Sequence, residues 1–245
     1  MTQKIAIVGA KGGTTKSSTT AALGHLFAAA GNDIVLVDGD PQGSLTRRFG
    51  LPRAAEPLSA APITLHLEGL TNPGSIRLLP GGRALESAGE VEIGEHLKRA
   101  SVLGADLMLI DTPPTIGPMV RNAMAVANLV VIPCTPGQES LDGFGDMRAV
   151  ARELNPSLPV RALLVLARLQ TRILAWSEQA FAEAYPRSLY SDIVVPHEVA
   201  AAESGTLHVP VTISAPKSRS ADAYQSLAHA IATDLGLSVP RPKVA

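Results

Sequence analysis

Residues 4–18 read KIAIVGAKGGTTKSS. Lys4–Gly9 is a short, nearly continuous apolar run of the kind buried on both faces of a parallel sheet. A glycine-containing loop follows, and from Lys16 to Ala30 the chain becomes Ala-rich and reads as a helix. Strand, glycine loop, Lys-Ser and helix, in that order, is the arrangement in which consecutive backbone N–H groups curl around phosphate oxygens while the helix N-terminus lends partial positive charge. In it Lys16 reaches the β- and γ-phosphates and the Ser17 hydroxyl takes a Mg2+ position.

Outward from this stretch the pattern repeats. Ile34–Asp38, Leu107–Asp111, Leu129–Pro133 and Val160–Leu166 are further apolar runs, and Arg83–Ala100, Gly117–Ala127, Ser140–Leu154 and Leu174–Tyr185 read as the helices between them. Repeated βαβ units with right-handed crossovers predict an α/β fold with a doubly wound, mostly parallel sheet. Five prolines break Leu51–Gly82 into loops and two short strands, Ile63–Leu67 and Ile76–Leu79, which predicts a surface excursion. Short strands are expected at Ile193–Val195 and Val211–Ile213, and a helix from about Ser220 to Leu235. Residues 1–237 are expected to form a single domain, with 238–245 as a disordered or loosely ordered tail holding two prolines.

Composition narrows the function classes. The 245 residues carry a formal charge of −1, with 46% hydrophobic and 18% charged residues, as in a soluble globular protein. Four Phe, three Tyr and one Trp make stacking platforms for bases improbable. The single cysteine, Cys134, excludes a disulfide framework, a Cys-rich zinc module and an iron–sulfur cluster held within one chain. With no run of about 18 apolar residues and no signal peptide, the chain is expected to be cytoplasmic.

The general phosphate-loop pattern G-x-x-x-x-G-K-[ST] is not met, because Ala10 and Thr15 occupy its glycine positions. With Lys11 ahead of Gly12-Gly13, the loop instead resembles the K-G-G-x-G-K-[ST] loop of the deviant Walker-A ATPases, most closely the ParA DNA-partition ATPases. The resemblance implies a P-loop NTPase of ParA/MinD type with ATP and Mg2+ as cofactors. It implies ATP binding by Lys11, Gly12, Gly13, Thr14, Thr15, Lys16, Ser17 and Ser18. It further implies a homodimer sandwiching two ATP molecules, in which Lys11 reaches the opposite nucleotide and Gly12 lies where the two loops face. A cation supplied in this way neutralises charge between β- and γ-phosphates much as an arginine finger does. Thr15 stands where the family has glycine. If that position needs positive φ, a β-branched residue costs about 1–3 kcal/mol, and slow hydrolysis or altered affinity is expected.

Two acidic segments extend the likeness. Val37–Ser44 reads VDGDPQGS, similar to the family's D-x-D-P-Q-G switch segment, at a strand end beside the phosphate loop. Asp40 is the candidate to orient the attacking water or its Mg2+-bound network, with Asp38 supporting it. Leu107–Pro114 reads LMLIDTPP, an apolar strand ending in Asp111, which is the Walker-B arrangement. Lys11, Lys16 and Asp40 are the expected catalytic residues, and Ser17, Asp40 and Asp111 the expected Mg2+ set, partly through water.

Further along, Leu129–Ser140 and Ala215–Tyr224 are similar to family segments, and Val195–Val199 resembles the segment that contacts adenine. Pro196 and His197 are therefore candidates for the adenine edge, and Arg168 for leaning on the base. Non-specific DNA binding by the ATP dimer would fall to Lys217 and Arg219, with Arg187 and Arg172 as additions, and should weaken steeply with salt. The function this implies is chromosome or plasmid partition: a slow, nucleoid-associated ATPase released from DNA when a ParB-like adaptor stimulates hydrolysis. With the first strand read from Lys4, no N-terminal operator-binding domain is expected. The alternatives are a MinD-like membrane positioner, which needs a C-terminal amphipathic helix that the proline-broken tail lacks, and a nucleotide-gated scaffold with little hydrolysis, suggested by Thr15. A nitrogenase iron protein needs two cysteines per chain, and tyrosine kinases of this fold carry a terminal tyrosine cluster; neither fits.

Overall fold

The computed structural model describes residues 2–9, 11–67 and 74–237; the expected tail 238–245 lies outside them. In chain order the elements are β1 (Gln3–Ile7), α1 (Lys16–Ala29), β2 (Ile34–Asp38), α2 (Ser44–Arg48), β3 (Ile63–Leu65), β4 (Ile76–Leu79), α3 (Glu90–Ser101), β5 (Leu107–Asp111), α4 (Pro118–Val126), β6 (Leu129–Cys134), α5 (Gln138–Leu154), β7 (Val160–Ala167), α6 (Arg172–Ala184), β8 (Leu189–Pro196), α7 (Val199–Thr206), α8 (Val211–Ser214) and α9 (Arg219–Leu235).

The strands form one sheet in the order β3-β4-β2-β5-β1-β6-β7-β8, parallel throughout except at β3, which pairs antiparallel with β4. Alternation along each strand divides the core in two. Ile5 and Ile7, with Leu36 and Leu109, pack against Leu23, Phe27, Leu227 and Ile231 of α1 and α9. Ala6 and Val8, with Val37 and Ile110, face Leu97, Val120, Phe144 and Phe181 of α3, α4, α5 and α6. The doubly wound reading from sequence is therefore correct, and helices cover both faces. Among the described residues no helix is long and apolar enough to cross a membrane.

Register sets the functional end of the sheet. Asp38 pairs with Asp111 across β2 and β5, and Ile7 pairs with Asp111 across β1 and β5. Two carboxylates and the end of the first strand thus meet at one carboxyl edge. After β1 the next strands lie on one side, whereas β6 lies on the other, so this edge is also the point where the winding reverses.

Four expectations need correction. Val211–Ile213 is not a strand: Pro210 opens a short helix there, with Val211 and Thr212 buried, because packing beneath α1 overrides the β-branched run. Ile76–Leu79 belongs to no surface excursion, since β4 is the sheet neighbour of β2 with Ile76, Leu78 and Leu79 buried. The helix read over Arg83–Ala100 is broken: a 3-10 turn at Arg83–Glu86 ends before α3, whose first turn is held by Glu92 accepting from the Gly89 N–H at 2.7 Å. The strand at Ile193–Val195 runs longer, from Leu189 to Pro196.

Candidate functional site

The phosphate loop leaves β1 and enters α1 through two residues in the left-handed region, Gly13 (φ 76°) and Thr15 (φ 59°). A Cβ at Gly12 or Gly13 would meet nothing within 4 Å, so the loop borders open space that a ligand can fill. Thr15 does adopt the positive φ that a threonine tolerates poorly. It stands at the N-cap of α1 without a capping side-chain bond, and its buried hydroxyl lies beside that of Tyr224. Lys16 opens the helix; its Nζ turns back to donate to the Lys11 carbonyl at 3.1 Å. Burial pulls its pKa down, and the carboxylates of Asp111 and Asp40 push the other way.

Opposite Lys16, the strand ends present three carboxyl groups. Asp111 is fully buried; its Oδ2 accepts from the Ser17 hydroxyl at 2.6 Å, and its Oδ1 is buried without a partner. Burial, with Asp38 adding repulsion, raises its pKa well above the ordinary range. Asp38, raised by burial to about 6, accepts through Oδ2 from the Thr46 N–H at 2.7 Å and hydroxyl at 2.6 Å. The carboxylate of β2 therefore anchors α2. Asp40 is engaged within its own turn, accepting from the Gln42 N–H at 2.9 Å and the Ser44 hydroxyl at 2.8 Å. Between the two, Gly39 donates to the Asp111 carbonyl at 2.8 Å, and a Cβ there would lie 2.8 Å from that same oxygen, so the close approach requires glycine.

A cleft of about 470 Å³ opens over this edge. It brings together Gly12, Gly13, Thr14, Thr15, Lys16, Ser17, Ser18, Asp40, Pro196 and His197 from the sequence-derived set. Asp111 and Asp38 lie beneath it, the former reaching it through Ser17. Lys11 does not line this cleft; it pairs with Glu139 at the start of α5, beside Cys134 and Gly143. Arg168 is exposed and lies outside the cleft wall. His197 is exposed, its N–H donating to the Ala167 carbonyl at 2.9 Å. Lys217, Arg219, Arg187 and Arg172 are all exposed, and Arg219 pairs with Glu198 at 3.4 Å. Glu198 also accepts from the Ser220 N–H and hydroxyl, each at 2.9 Å, and so caps α9.

Several cleft residues lie outside the sequence-derived set. Gln42 and Ser44 lie within the acidic segment already quoted and Tyr224 within the family-like Ala215–Tyr224 segment, whereas Arg48 carries no local signal and is brought in by tertiary packing.

The donor set fits a hard divalent cation held with a phosphate ligand. Among the described residues no three His, Cys, Asp or Glu side chains converge as a metal site. One hydroxyl, one buried carboxylate with an orphaned oxygen and an open glycine loop are what remain. Magnesium is bound in this manner, by one or two carboxylates together with substrate phosphates.

Residues 5–236 match the model of the CobQ/CobB/MinD/ParA nucleotide binding domain. Chromosome-partitioning ATPase Soj of Thermus thermophilus is 32% identical over 239 residues, 94% of this chain and 95% of its own. Among solved structures, septum site-determining protein MinD of Pyrococcus horikoshii, complexed with Mg-ADP, aligns with a TM-score of 0.75 at 20% identity, covering 96% of this chain and 98% of its own. A putative plasmid partition protein of Borrelia burgdorferi bound to AMPPNP also aligns at 0.75, with 18% identity over 95% of this chain and 99% of its own. The two structures share the fold of this chain.

Proposed function

This chain belongs to the CobQ/CobB/MinD/ParA nucleotide-binding domain family, and we propose that it is an ATP-dependent DNA-partition ATPase in which residues 1–237 act as one catalytic domain. The observation that carries the reading is the convergence of Lys16, Ser17 and Asp111 at the carboxyl edge of the sheet, beneath a glycine loop that begins with Lys11.

In this reading the backbone N–H groups of residues 12–18 bind the phosphates of ATP, and Lys16 abandons the Lys11 carbonyl for them. Ser17, Asp40 and Asp111 would hold the Mg2+, partly through water, and the metal would supply positive charge against the phosphates. Asp40 positions the attacking water, which requires it to loosen its hold on Ser44. Pro196 and His197 line the adenine edge, and Arg168 approaches the base. Lys11 leaves Glu139 and completes the pocket of a second copy.

The distribution of apolar surface supports such a dimer. Of the large apolar side chains exposed among the described residues, Ile116, Leu169, Ile173, Trp176 and Val199 follow the carboxyl ends of β5, β7 and β8, the same end as the phosphate loop. DNA phosphates would be met by Lys217, Arg219, Arg187 and Arg172, and a ParB-like adaptor would speed a slow basal turnover and release the protein from the nucleoid.

The test is ATP turnover with and without duplex DNA for wild type, Lys16→Ala and Asp40→Ala, with light scattering to follow dimers. Low basal turnover, ATP-dependent dimers and DNA retention lost in Lys16→Ala are expected. Monomers indifferent to ATP that bind anionic vesicles and ignore DNA would replace this reading with a membrane-positioning one.

A further inference from the structure

Arg48 closes the five-residue helix α2 and lines the cleft together with Ser44 and Ser204. Its neighbour Arg47 is exposed, whereas Arg48 turns inward. The Nε is buried without a partner, and an Nη reaches the Ser204 hydroxyl only at 3.5 Å, the outer limit of a hydrogen bond. No ion pair among the described residues includes Arg48. The groups that act on it electrostatically are the Tyr224 phenol and the Asp111 carboxyl, and neither forms an ion pair or a hydrogen bond with it. A guanidinium withdrawn from water in this way destabilises a fold unless an anion offsets it.

The cleft that Arg48 faces is the one built to receive phosphates. We propose that Arg48 is a second cation of the phosphate site, supplied from within the same chain by α2, and that the phosphates of the bound nucleotide are the anion it lacks. This rests on the ATP reading above and adds to it a residue outside the phosphate loop. It also joins ligand to switch. Asp38 grips Thr46, two residues before Arg48, so a phosphate that draws Arg48 moves the helix anchored by the carboxylate beside Asp111.

The experiment compares wild type, Arg48→Met and Arg48→Lys by calorimetry with Mg2+ and adenosine, AMP, ADP or ATP, and by melting temperature without ligand. Arg48→Met is expected to melt at or above the wild-type temperature, because an unbalanced buried charge is gone. Its affinity for ATP is expected to fall about ten- to a hundredfold, the worth of a charge-assisted contact. The loss should shrink through ADP and AMP and vanish for adenosine, and Arg48→Lys should recover part of it. Undiminished ATP affinity in Arg48→Met overturns the proposal, as does an equal loss for adenosine. A lowered melting temperature or failure to fold also overturns it, since Arg48 would then be structural. So does stabilisation of wild type by sodium phosphate alone to the extent given by ATP at the same concentration, which would assign Arg48 to free phosphate. Wild type that takes up no adenine nucleotide removes the ATP reading and this proposal together, whereas normal wild-type uptake with an indifferent Arg48→Met removes this proposal only.

Discussion

Ser17 donates its hydroxyl hydrogen to Asp111 Oδ2 across 2.6 Å, which ties the first turn of α1 to the end of β5 and leaves Asp111 Oδ1 buried and unpaired. A half-satisfied carboxylate in the floor of a cleft is a poor structural element and a good cation ligand. Asp111→Ala should therefore leave the ligand-free protein at least as stable as wild type, while reducing the magnesium-dependent part of ATP affinity about tenfold or more. Calorimetry in Mg2+ and in EDTA separates the two; an unchanged difference between those conditions would show that Asp111 has no part in holding the metal.

Thr15 gives a prediction about stability. A threonine held at φ 59° stores about 1–3 kcal/mol of backbone strain, and its buried hydroxyl forms no capping bond for α1. Thr15→Gly relieves that strain but gives the unfolded chain more freedom, a loss of about 0.4–1 kcal/mol. The variant should gain about 1 kcal/mol, read as a higher urea midpoint with an unchanged slope. A drop of similar size would mean that the hydroxyl beside Tyr224 outweighs the strain.

How far the sequence carries the reading follows from where each signal sits. The strands that bear Asp38 and Asp111 are legible because a doubly buried parallel strand must be continuously apolar, and the acidic residue ending such a run marks its functional edge. Val211–Ile213 misleads because three β-branched or neighbouring residues look extended on their own, while the helix they form depends on Pro210 before them and α1 above them. Ile76–Leu79 is legible as a short strand, but its proline-rich surroundings suggest a surface excursion, whereas its register with Ile34–Val37 places it beside the strand that ends in Asp38. Arg48 is invisible for a further reason: nothing local distinguishes it from Arg47, and only packing against Ser204 and Tyr224 turns one inward and leaves the other in water.

Lys11 and Glu139 form an ion pair on the surface, with side chains 48% and 82% exposed. Solvent screening makes such a pair nearly worthless to stability, so Glu139→Gln should leave the melting temperature unchanged. It does, however, occupy the lysine expected to serve a second copy. Removing the competitor should shift ATP-dependent dimer formation to lower protein concentration, measured by light scattering across a dilution series. An identical dilution curve would mean that the pair places no restraint on Lys11.

The buried histidines predict how stability responds to acid. His25, whose Nδ1 lies 2.9 Å from the Thr212 hydroxyl, and His96 on the buried side of α3 are each pulled by burial to about 4, with Arg99 adding repulsion at His96. Above pH 6.5 both are neutral whether the chain is folded or not, so they contribute nothing there. As pH falls from 6.5 to 4 the unfolded chain takes up two protons that the folded chain refuses, and stability drops by up to about 3 kcal/mol for each. Asp38 works the other way: raised to about 6, its carboxylate is disfavoured in the folded chain, and that penalty is relieved as pH falls toward 3.8. Substitution isolates the histidine contribution from it. In His25→Gln and in His96→Gln, the loss of stability between pH 7 and pH 4.5 should be smaller than in wild type by the equivalent of one proton, read from urea midpoints at the two pH values. Parallel losses in wild type and both variants would mean that the imidazoles are protonated in the folded state and reach water.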